Sequence, residues 1–210
     1  MQSFEEFAFD PWQCRKELAG LAAKLNAPET FAHGPDILDW FRRHKHLSAF
    51  IGAYFPYLAQ ADRLAFDYDL LGVSLCDIAI GDSVAGEFCF VALGTGGGED
   101  WAEQFDRGCG RMIDWFWRLA ETRGSNQSLR RFGPHYSGFQ GLFIAGLETR
   151  LDPDQIKRLH WRREHLLADD KPLHCVTYDE LYQHLAAKLR LYEAAYHADQ
   201  KHLSTRASLL

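Results

Sequence analysis

Three runs rich in β-branched and aromatic residues follow one another between residues 63 and 93, and they constrain the fold more than any other feature. RLAFDYDLL (63–71) is broken by Gly72, VSLCDIAI (73–80) by Gly81-Asp82, and EFCFVAL (87–93) by GTGGGED. Breaks this short join neighbouring strands, so the segment predicts a meander. A helix over 101–123 follows. Phe105, Cys109, Met112, Ile113, Phe116, Leu119 and Ala120 mark its inner face, and Gly124 stops it.

The remaining chain reads in the same way. A helix over 36–54, capped by Asp36, ends at Phe55-Pro56. A polar, flexible loop covers 125–137, a buried strand 141–147, and a helix opened by Asp152-Pro153 runs to about Leu167. A short strand over 172–177 leads into a long amphipathic helix over 178–202. The order α-β-β-β-α-β-α-β-α implies an α/β fold, a central mixed sheet flanked by helices. The Ala-rich stretch 19–35 sets residues 1–35 apart as an N-terminal extension, leaving 36–203 as the main domain and 204–210 as a tail.

With 210 residues, 47% of them hydrophobic, the chain can build one domain core and is not disordered. A net charge of −6 excludes a strongly basic nucleic-acid binder but not a local basic surface. No apolar run reaches the ~18 residues of a membrane span. MQSFEEFAFD carries acid where a signal peptide carries base, so a cytoplasmic protein without membrane contact is expected. The five cysteines are scattered and form no Cys-x-x-Cys pair, which points to reduced thiols rather than a disulfide scaffold or a zinc site.

Asp77 is the first candidate for chemistry. Period-2 alternation puts it on one face with Val73, Leu75 and Ala79. A carboxylate there costs several kcal/mol unless it is paired or binds a cation. It is either a salt-bridged or sheet-edge acid, or one of two strand carboxylates that hold Mg²⁺ for phosphodiester cleavage.

From about His46 to Tyr192 the sequence resembles the Shedu family of bacterial anti-phage nuclease domains, of the PD-(D/E)XK, restriction-endonuclease-like superfamily. LLGVSLCDIAIGD (70–82), FCFVALG (88–94), FDRGCGRMIDWFWRL (105–119), GLFIAGLETRL (141–151) and CVTYDEL (175–181) carry the resemblance. It implies an α-β-β-β-α-β core and a metal-dependent endodeoxyribonuclease centre. Asp77 matches the first metal-binding acid of that pattern. The next strand is expected to carry Glu-x-Lys or Glu-x-Glu, yet Ala92 and Gly94 stand there. Arg111 stands where the following helix brings a glutamine, ahead of Asp114-Trp115.

One carboxylate holds Mg²⁺ poorly, since the ion demands near-octahedral oxygen ligands. The resemblance therefore implies a degenerate centre in which Asp77 is a relic or a weak metal ligand. It implies Mg²⁺ as cofactor only if the site is active through a rearranged acid, with Asp82, Glu87 or Glu99 as the substitutes. The glycine-rich loop at 94–99 invites a phosphate-cradle reading, but it lacks a Walker lysine and reads as a connector.

Between Arg107 and Arg131 there are six arginines against two acids. Arg107, Arg111, Arg118 and Arg123 are the nucleic-acid-binding candidates, with solvated helix faces as the plain alternative. Residues 42–46 and 157–163 form two further basic islands. Three functions remain open: a non-cutting nuclease-like protein binding DNA or a protein partner in phage defence, an active Mg²⁺-dependent endonuclease, and a homo-oligomerisation module.

Overall fold

The computed structural model describes residues 3–27, 34–58, 61–72, 74–96 and 101–207, and their side chains except at 34–35 and 196–207. The strands are β1 (Glu5–Glu6), β2 (Arg63–Leu70), β3 (Ser74–Asp82), β4 (Glu87–Leu93), β5 (Gly138–Ile144), β6 (Leu167–Ala168), β7 (Lys171–Pro172) and β8 (His174–Val176). The helices are α1 (Pro11–Leu25), α2 (Gly34–Arg43), α3 (Lys45–Phe50), α4 (Trp101–Glu121), α5 (Asn126–Phe132), α6 (Pro153–His165) and α7 (Tyr178–Ala207). Six strands form one mixed sheet in the order β1-β2-β3-β4-β5-β8, and β6 and β7 form a separate two-stranded ribbon. The expected meander is present: β2, β3 and β4 pair antiparallel. β5 runs parallel to β4, and α4 makes the crossover between them.

Alternation along the strands divides the core into two layers. Ile78, Ile80, Val91, Leu142 and Ile144 face α1, α2, α3 and α7. Ala79, Phe88, Phe90, Phe139 and Phe143 face α4, with Phe132 of α5 and Leu159 of α6. Helix α4 approaches β5 closely, because a Cβ on Gly108 would lie 2.5 Å from the Phe143 ring. All five cysteines are free and buried. Among the described residues no helix is long and apolar enough to cross a membrane.

Several elements differ from the sequence expectation, each for a local reason. The helix over 36–54 breaks at His44, whose ring stacks on Trp40 at 3.9 Å and whose Nδ1 meets the Trp40 carbonyl at 2.7 Å. The loop over 125–137 contains α5, capped by the Ser125 side chain and anchored by buried Phe132. Ile113 is 47% exposed on α4, while Trp115 is fully buried and donates its indole N–H to Ser74. The strand over 172–177 divides between β7 and β8. The segment set apart as an extension contributes to the fold: β1 pairs with β2, and Cys14, Leu18 and Leu21 of α1 join the core. Glu17 of α1 is buried and accepts the Leu47 N–H at 2.7 Å, closing the start of α3. Val73, residues 97–100 and residues 208–210 lie outside the described residues.

One turn joins distant parts of the chain. Gly86, between β3 and β4, has φ +71 and accepts the Ser137 N–H at 2.8 Å. A Cβ there would fall 1.7 Å from the His135 carbonyl oxygen. Gly86→Ala must therefore displace the chain before β5 and strain a left-handed residue by ~1–2 kcal/mol. Urea denaturation is expected to show a total loss above ~2 kcal/mol. An unchanged midpoint would contradict this packing.

Candidate functional site

Asp77 lies where the sheet changes face. In β2, Leu64 and Phe66 face the α7 layer, whereas Tyr68 and Leu70 face the α4 layer. In β3, Ile78 and Ile80 face the first layer and Cys76 the second. Both strands invert at one level, between the pairs Phe66↔Ile78 and Tyr68↔Cys76. Asp67 and Asp77 occupy that level, and Asp67 has φ +44. Like charges opposite each other on paired strands destabilise the pairing. Here each acid is given its own arginine, from opposite sides of the sheet. Arg42 of α2 binds Asp67, and Arg111 of α4 binds Asp77. The inversion also explains why Leu75, expected beside Asp77, is 53% exposed.

Arg111 grips Asp77 with both ends of its guanidinium. Nη1 donates to Oδ2 at 3.2 Å and Nη2 to Oδ1 at 3.3 Å. Nη2 also donates to the Leu75 carbonyl at 2.7 Å, and the guanidinium lies 5.4 Å from the Trp115 ring centre. Asp77 Oδ2 further accepts the Leu93 N–H at 2.6 Å. The β3–β4 ladder ends at Ile78↔Val91, so this carboxylate continues the pairing that the backbone has abandoned. Both oxygens of Asp77 are thus engaged by protein donors, and a cation already neutralises them.

The two departures from the nuclease pattern sit in places that take no larger side chain. Ala92 is fully buried in the α4 layer. A Cβ on Gly94 would lie 2.5 Å from Ala145 Cβ and 3.0 Å from Gln104 Oε1. Gln104 already accepts the Thr95 N–H at 2.8 Å, and Tyr178 donates its hydroxyl to the Gly94 carbonyl at 2.6 Å. Burial, and then the charge of Asp77, push the Tyr178 phenol well above its usual range, which keeps it a proton donor. Ser74, Gln104, Trp115 and Tyr178 are the site residues that sequence reasoning missed.

The substitute acids are elsewhere. Asp82 is five residues along β3 from Asp77, about 17 Å away at 3.4 Å per residue. Its carboxylate accepts the Val84 and Ala85 N–H groups. Glu87 pairs opposite Asp82 and accepts from Ser137 at 2.8 Å. Glu99 lies outside the described residues. Among the described residues no group of three His, Cys, Asp or Glu side chains is placed to hold a metal.

The basic candidates are distributed among internal partners. Arg107 pairs with Glu103, and Arg118 pairs with Glu121 at 2.6 Å rather than with Asp114. Arg123 donates to the Ser137 carbonyl at 3.1 Å. In the first further island, Arg42 is bound to Asp67, Lys45 to Glu5, and His46 Nδ1 accepts the Asp10 N–H. In the second, Arg162 pairs with Asp106 and Arg163 with Glu180. Compared with known proteins, the chain matches no family model and no curated protein.

The ion pair predicts non-additive mutations. Arg111→Ala leaves the Asp77 carboxylate, 19% exposed, without its cation, and is expected to cost ~1–3 kcal/mol. Asp77→Ala combined with Arg111→Ala is expected to cost less than the sum of the single changes by ~0.5–3 kcal/mol, measured as a double-mutant cycle in urea. Additive costs would contradict a coupled pair.

Proposed function

We propose that this chain is a nuclease-fold protein that binds DNA without cutting it, in the manner of a degenerate Shedu-type domain acting against phage. The observation that carries the reading is the bidentate grip of Arg111 on Asp77. A metal at Asp77 would have to displace a guanidinium held by three acceptor contacts and then work with a single carboxylate. The antiparallel β2–β3–β4 meander, the α4 crossover and the parallel β5 support a restriction-endonuclease-like core.

The DNA-facing side is the outer face of α4. Arg107 is held there by exposed Glu103, and Arg118 by exposed Glu121 and by long 3.4 Å contacts to the Leu71 carbonyl. Exposed ion pairs are worth only ~0–1 kcal/mol, so phosphate can replace the glutamates at small cost. Arg111 and Arg123 are committed to the fold and are withdrawn from the contact set. A second reading, a protein partner or a second copy on the neighbouring exposed flank of α4, is favoured by Ile113 and Trp117. They are one turn apart on α4 and 47% and 57% exposed.

Supercoiled plasmid incubated with Mg²⁺ or Mn²⁺ is expected to stay intact with the natural protein and with Asp77→Ala alike. Cutting that Asp77→Ala abolishes would refute the proposal. In gel-shift titrations, Arg107→Ala with Arg118→Ala is expected to weaken DNA binding and to flatten the slope of log affinity against log salt by ~1.8, from ~0.9 per phosphate contact. An unchanged slope would move the interface away from α4 and leave Ile113 and Trp117 to a protein partner.

A further inference from the structure

A second place in the molecule is built for an anion. A cavity of about 330 Å³ lies between the start of β2, the β3–β4 turn and the end of α5. Its walls include Phe4, Phe132, Arg63, Arg130, Arg131 and His135. That volume falls at the lower end of small-ligand sites, ~300–1,000 Å³. The cations here differ from those of α4. Arg131 donates to the Asp69 carbonyl at 3.0 Å and lies 3.6 Å from its carboxylate. The side chains of Arg63 and Arg130 make no hydrogen bond or ion pair among the described residues.

Two of the acids near the cavity are engaged elsewhere. Asp69 serves Arg131, and Asp62 accepts both the backbone N–H and the hydroxyl of Ser83. Glu6 stands opposite Arg63 in the β1–β2 register but forms no ion pair with it. Among the described residues no carboxylate lines the cavity. Two guanidinium groups with no ion pair among the described residues, lining one open cavity, suit a phosphate, whose oxygens such forks can hold in pairs. Part of the lining is aromatic. Phe4 packs on Phe132 at 6.4 Å and on Phe88, and Phe4, partly exposed, with the edge of Phe132, presents apolar area to a flat ring. The walls are also fixed in advance. The close approach of Gly86 to His135, with the Ser137 N–H on the Gly86 carbonyl, ties the segment after α5 to the β3–β4 turn. Pre-formed walls spare a ligand the cost of ordering them.

We propose that this cavity binds a nucleoside 5′-monophosphate, with the phosphate on Arg63 and Arg130 and the base against Phe4 and Phe132. The proposal is independent of whether α4 binds DNA. Adenosine 5′-monophosphate, adenosine and inorganic phosphate would be titrated calorimetrically into the full chain, and into Arg63→Gln and Arg130→Gln. The expected result is one-to-one binding of the monophosphate, with adenosine and phosphate each at least ~10-fold weaker and each glutamine variant weakened ~10-fold, about one charge-assisted hydrogen bond. Arg130 is exposed on α5, so Arg130→Gln carries the test even if Arg63→Gln loosens β2. Failure of the monophosphate to bind, equal binding of adenosine, or full affinity in Arg130→Gln would each overturn the assignment.

Discussion

Two aspartates at one level of an antiparallel pair set the organisation of this protein. Asp67 and Asp77 sit where β2 and β3 exchange their inner and outer faces. The β2–β3 register skips this pair, and each carboxylate is drawn to an arginine on a different side. Arg42 ties α2 to one layer and Arg111 ties α4 to the other. The ion pairs therefore do more than neutralise charge: they fix which helix covers which half of the sheet. Removing either arginine leaves a half-buried carboxylate beside another acid, a costlier state than losing both members of the pair.

The same arrangement determines what chemistry the end of β3 and β4 can support. A hydrolytic metal centre needs several oxygen ligands and an open coordination position. Here Asp77 is saturated by Arg111 and the Leu93 N–H, Ala92 is buried, and Gly94 is closed in by Ala145, Gln104 and the hydroxyl of Tyr178. Tyr178 links the end of β4 to the start of α7, so the space in which a lysine or glutamate would reach the site is used for packing. The exposed arginines of α4 lie outside the Asp77 site.

Strand alternation and helix periodicity made the meander, α4 and the capped start of α6 readable from the residues alone, because those signals are local. Asp152 with Pro153 announced α6, and a full capping box is present. The helix break at His44 was not readable, since it depends on the ring of His44 lying on Trp40. Asp77 stood out as a polar residue among apolar ones. The resemblance placed Arg111 near it, but the residues alone did not pair the two, because 34 residues separate them and only the crossover of α4 brings them together. Asp67 carried no signal of its own: in RLAFDYDLL it fits simple alternation, and only its left-handed backbone reveals the face change. The ion pairs of the basic islands were hidden for a related reason. Charge counts along the chain cannot show that Glu103, Glu121 and Asp67 have already taken those arginines.

The most direct test of the account is a calorimetric titration of Mn²⁺ into the natural protein and into Asp77→Ala. If Arg111 has replaced the metal as the partner of Asp77, the two proteins give the same heats and no site depends on Asp77. A one-to-one Mn²⁺ site present in the natural protein and absent in Asp77→Ala would contradict it.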